Sequence, residues 1–127
     1  MKIVATIARY LLGVMFLVFG LNDFLHFIPM SGGMPPGPAG DFAKLLMSTH
    51  YDQVVGGVMV ISAILLLVGR FVALGLTLLG PVLFNILVFH ILMMPSGIAV
   101  GGVATILWFL VFWQHRASFA GLFDPRG

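Results

Sequence analysis

Four long apolar runs, separated by short polar or Pro/Gly punctuation, organise the chain: Ile3 to Ile28, Val54 to Val68, Phe71 to Met94 and Ile98 to Trp113. A helix needs about 20 mostly apolar residues to cross the hydrocarbon core of a bilayer. Each run meets or approaches that length, the second by starting near Tyr51. The pattern predicts an all-α integral membrane protein of one domain, a four-helix antiparallel bundle. Its spans lie at about 3–28, 51–69, 71–94 and 97–115, with a loop and short helix at 29–50 and a tail at 116–127.

The connections between the runs are unequal. Gly69-Arg70-Phe71 and Pro95-Ser96-Gly97 are tight turns that make consecutive spans antiparallel neighbours. Met30 to Gly40 instead holds three prolines and four glycines. After it, Asp41 is suited to N-cap a short amphipathic helix running to about Thr49, with Phe42, Leu45 and Leu46 on one face. Such a segment is a lid or interfacial helix, or else a plain connector. Gly97, Gly101 and Thr105 form a stripe of small residues that admits a neighbouring backbone, within the chain or from a second subunit. Pro81, inside the third span, has no N–H for the Thr77 carbonyl and predicts a kink there.

Composition removes several function classes. With 61% hydrophobic and 8% charged residues and a mean hydropathy of +1.16, the chain lacks the polar surface of a soluble domain. No cysteine is present, which excludes disulfides, thiol redox chemistry and cysteine-held zinc or iron–sulfur centres. The net charge of +2 comes from six cations scattered over the span ends, so no basic patch for nucleic acid exists. The first run is too long for a signal-peptide core and has no small-x-small cleavage pattern, so it is expected to be a retained span. Lys2, Arg9, Arg70, Arg116 and Arg126 fall on one side and Lys44 on the other. Positive residues resist translocation, which predicts both termini in the cytoplasm, the Pro/Gly loop outside, and Trp108, Trp113 and His115 at the inner interface.

Polar chemistry gathers at the outer ends of the first and third spans. Asn22 and His26 share a helix face at i, i+4 spacing, and Asn85 and His90 occupy the matching depth on the third span. The latter two point about 140° apart on an ideal helix, so convergence of all four is expected to need a distortion at Pro81. Ionisable groups at membrane depth mark functional sites by default. Three readings of these residues stay open beside simple helix bridging. A quinone or similar amphiphile fits a neutral imidazole and asparagine amides, with the imidazole donating to a quinone carbonyl. Copper(I) fits His26, Met30, His50, His90 and Met94 by ligand softness. Haem b held by His26 and His90 is the third. No glutamate, nucleophile motif or phosphate loop is present.

The stretch Gly20 to Met30, the loop from Met34, Ile64 to Phe71 and Gly80 to His90 together resemble the DoxX family of small bacterial four-helix inner-membrane proteins. The resemblance runs in order through nearly the whole chain. It implies a four-helix bundle in the bacterial inner membrane and, by way of relatives in quinone-linked oxidoreductases, a redox-linked role. Asn22, His26, Asn85 and His90 match the family's polar helix ends, and Arg9 and Arg70 its basic residues on the cytoplasmic side. One departure is Val58-Met59, where similar members carry a glutamate.

Two classes of function follow. One is a quinone-associated, redox-linked subunit with a site between the first and third spans, which requires His26 and His90 to face each other around a cavity. The other is a non-catalytic structural or assembly component, partnered by lipids, by a second copy or by other membrane subunits.

Overall fold

The computed structural model describes residues 2–26 and 35–126. Helix α1 spans Lys2–Leu25, α2 Pro38–Ser48, α3 Tyr51–Val68, α4 Val72–Leu92 and α5 Ile98–Gln114. Short 3-10 segments at Pro95–Gly97 and Arg116–Phe123 precede and follow α5. No strand occurs among the described residues. Four segments, Lys2–Leu25, Tyr51–Val68, Val72–Leu92 and Pro95–Gln114, are long and apolar enough to cross a membrane.

Burial in α1 follows the helical period. Ala5, Ala8, Leu12, Phe16 and Gly20 form the inward stripe, while Ile3, Ile7, Leu11, Val14 and Val18 face outward. Large aliphatic side chains thus cover the outer surface, while Ala5, Ala8 and Gly20 leave room for close approach in a seam that also buries Leu12 and Phe16. α1 lies against α3 and α5, and α4 lies against the same two helices. Leu12, Phe16, Leu66, Leu76, Leu79 and Val111 are fully buried between them.

The closest approach joins α1 to α3. A Cβ on Gly20 would sit 2.9 Å from the Gly56 carbonyl oxygen, and one on Gly56 would sit 2.6 Å from Asp23 Cβ. Gly13 packs on Leu67 in the same seam. Gly97 and Gly101 also meet neighbours within the chain, His90 and Met94 for the first and Ile86 and Leu87 for the second. Thr105 spends its hydroxyl on the Gly101 carbonyl at 2.7 Å.

The α3–α4 turn is closed by local chemistry. Gly69, at φ 79°, ends α3 in the left-handed region and donates its N–H to Leu65 O. The next free carbonyl, Leu66 O, accepts from the Arg9 guanidinium, so α1 supplies a cation to the negative end of α3. Gly75 then packs on Ser62 and Leu65, holding α3 and α4 together near this turn.

Two sequence expectations, the N-cap of α2 and the end of α1, are corrected. Asp41 is not the N-cap of α2: Gly37 is, at φ 76°, with Pro38 at the first helical position. Proline's fixed φ and missing N–H suit that position better than they suit a preceding loop. Trp108, partly buried, donates Nε1–H to Leu76 O on α4 at 3.0 Å and stacks on Phe112. Helix α1 ends at Leu25 rather than near residue 28, with His26 left-handed at φ 50°. Met30, among the suggested copper ligands, lies outside the described residues.

Candidate functional site

α3 and α4 are joined by a tight turn at one end, and α2 sits near the other. α2 contacts α3 and stacks Phe42 on Phe89 of α4, with ring centroids 5.7 Å apart. Beneath α2 the four long helices line a partly open cavity of about 1200 Å³. Its walls are mostly apolar: Met15, Phe16 and Phe19 from α1, Val55 and Met59 from α3, and Val82, Ile86 and Phe89 from α4. Phe42, Leu45 and Leu46 of α2 close the top. The amphipathic face of this short helix therefore belongs to the cavity.

Few polar side chains reach the wall: Asn22, Asp23, Thr49, Tyr51, Asn85 and His90. Asn85 Nδ2 donates to the Pro81 carbonyl at 2.8 Å, and His90 Nδ1 lies 2.8 Å from the Ile86 carbonyl. Both side chains fold back one turn along α4. Asn85 and His90 reach one cavity although about 140° separates them on α4, because the wall they border is a broad stripe centred on Val82, Ile86 and Phe89. α4 runs helical from Val72 through Pro81 to Leu92.

His26 is the candidate that the fold separates from the others. It lies off the cavity wall, is half exposed, and places Nε2 3.4 Å from Asp52 Oδ2. The left-handed turn at its own backbone directs the ring towards the start of α3. The facing pair His26 and His90 is therefore not formed, which removes the bis-histidine arrangement on which the haem reading depended. His50, also left-handed at φ 60°, stands exposed between α2 and α3. Among the described residues, no three His, Asp or Glu side chains gather as a metal site.

Thr49, Tyr51 and Asp23 are wall residues outside the candidates chosen from sequence, and of these Asp23 carries a carboxyl group. It is the single acid inside a span-length helix away from that helix's first turn, and its depth was the available signal. It packs on Gly56 at the α1–α3 seam and lies within electrostatic reach of Asp52 and His26. Gly97 matters for the same site: a Cβ there would come within 2.6 Å of His90 Cδ2 and 2.8 Å of Nε2. Glycine keeps that edge of the imidazole uncrowded.

A large apolar chamber with a few convergent polar groups suits a small molecule that is mostly hydrocarbon with one polar head. Comparison of the chain with protein-family models, with curated proteins and with solved structures returns no match.

Proposed function

We propose that this protein is a quinone-associated, redox-linked component of a bacterial inner membrane, holding an amphipathic ligand beneath α2. The observation that carries the reading is the 1200 Å³ apolar cavity bordered by Asn22, Asn85 and His90. The resemblance to the DoxX family supports it from a separate direction. In this reading the four spans form an antiparallel bundle with both termini cytoplasmic, and α2 covers the site from the outer side.

The residues divide the work. Phe16, Phe19, Met59 and Ile86 supply an apolar bed for a ring and tail. His90 and the two asparagines give the head its orientation, and α2 excludes water and headgroups from above. A quinone, when bound, supplies the electron chemistry; the chain itself binds, orients and offers proton-exchanging groups.

The test compares the lipid extract and absorption spectrum of purified wild type, His90→Ala and His26→Ala proteins. A near-stoichiometric quinone or related amphiphile is expected in the wild type and in His26→Ala, and is expected to be depleted in His90→Ala. Clean protein in all three would overturn the reading and leave the alternative of a structural or assembly subunit. Metal analysis of the same samples tests the lesser alternative of a copper-binding protein.

A further inference from the structure

The polar groups on the cavity wall are biased towards hydrogen-bond acceptors, and we infer that the site selects a hydroxyl-bearing head, a hydroquinone or phenol on an apolar tail, over a head that carries only carbonyl oxygens. This rests on the proposed reading of the cavity as an amphiphile site and specifies which oxidation level that site prefers.

His90 contributes most. The Ile86 carbonyl oxygen, 2.8 Å from Nδ1, can only accept, so Nδ1 carries the proton. A neutral imidazole then presents Nε2 as a bare lone pair. The expectation that this histidine donates to a quinone carbonyl is thereby reversed. Gly97 leaves the approach to Nε2 clear, since a methyl group in its place would stand 2.8 Å from that nitrogen.

Two other wall residues point the same way. Thr49 donates its only hydroxyl proton to Leu45 O at 2.8 Å, which leaves oxygen lone pairs for the cavity. Asn85 has one N–H committed to Pro81 O and keeps its own carbonyl oxygen. Asp23 offers a carboxyl oxygen in either protonation state. Against these acceptors stand the Tyr51 hydroxyl and the second N–H of Asn85, while the Asn22 amide carries both kinds of group. A head with O–H donors satisfies His90 and Thr49, whereas a carbonyl-only head sets lone pair against lone pair at both. Unmade hydrogen bonds in an apolar site are costly.

The experiment measures equilibrium binding of 4-dodecylphenol and its methyl ether, 4-dodecylanisole, to the full chain in nanodiscs. The probes share a tail and differ in one O–H. Wild type is expected to bind the phenol about tenfold more tightly, the scale of one hydrogen bond. In His90→Phe, which keeps an aromatic ring of similar volume, the preference is expected to shrink at least about threefold with little change for the ether. Thr49→Val, at an exposed position, is expected to reduce the preference in the same direction and serves where His90→Phe does not fold. Equal binding of the two probes by wild type, or a preference that both variants retain, overturns the inference while leaving an amphiphile site in place. Failure of both probes to bind wild type overturns both readings.

Discussion

His115 and Arg9 show how single residues set conditions at the end of the molecule remote from α2. Burial, reinforced by the positive charge of Arg9, pushes the His115 imidazole below its ordinary value of 6.5. The folded protein therefore binds fewer protons here than the unfolded chain, so this contribution to stability is complete above pH 6.5 and is lost as pH falls through the lower folded value. Thermal unfolding in detergent is expected to move to lower temperature on acidification from about pH 7.5 to pH 5.5, with a smaller shift in His115→Gln. Gly97 sets a condition at the opposite end. Gly97→Ala places a methyl group against the His90 edge and is expected to weaken binding of the co-purifying amphiphile several-fold at nearly unchanged stability, measured by lipid-extract mass spectrometry beside a melting curve. His26 and His90 were equally conspicuous in sequence, yet backbone conformation separated them: a left-handed φ turned one outward and an α-helical turn held the other at the wall. No spacing rule predicts a left-handed histidine, because its cost is offset by tertiary contacts such as the Asp52 pairing.

Among the helices, the α1–α3 crossing is the element most sensitive to volume. Gly56→Ala introduces a Cβ 2.6 Å from Asp23 Cβ and 2.9 Å from a backbone oxygen that cannot retreat alone. We expect a loss of about 1–3 kcal/mol. Gly102, with nothing within 4 Å of its would-be Cβ, gives the contrast: Gly102→Ala removes a poor helix former and is expected to raise the melting temperature slightly, on the scale of up to about 1 kcal/mol. Differential scanning fluorimetry of the pair distinguishes packing from propensity. For α2, the Phe42–Phe89 stack is worth about 0.5–1.5 kcal/mol beyond area burial. Phe42→Ala is expected to speed amide exchange across Pro38–Ser48 while leaving α3 unchanged, read by hydrogen-exchange mass spectrometry. The existence of this helix was legible from Phe42, Leu45 and Leu46, but its start was not, because Pro38 and Gly37 read as loop residues until their φ values are seen.

At the scale of the whole molecule, the proposed orientation is open to a direct test, since the chain has no cysteine and single introduced thiols report without background. Ser48→Cys and Ser118→Cys, both at exposed positions, are expected to label with a membrane-impermeant maleimide before and only after permeabilisation, respectively. The chain's four span-length helices follow from hydropathy alone, because a bilayer leaves a backbone little choice but to satisfy its own hydrogen bonds. The tight turns and the amphipathic face of α2 were likewise legible, being local properties of Gly, Pro and helical periodicity. The cavity was not. Its walls come from residues as distant in sequence as Met15 and Ala104, and the same apolar side chains would have filled a solid core equally well. Which glycines carry the closest helix contact was also not legible in sequence, which singled out Gly97 and Gly101 where the structure uses Gly20 and Gly56. Sequence by itself determined the elements and the polar residues available near their ends. Tertiary structure alone decided which of those residues share a chamber, because that depends on how helices distant in sequence pack around it and on side-chain directions that no local rule encodes.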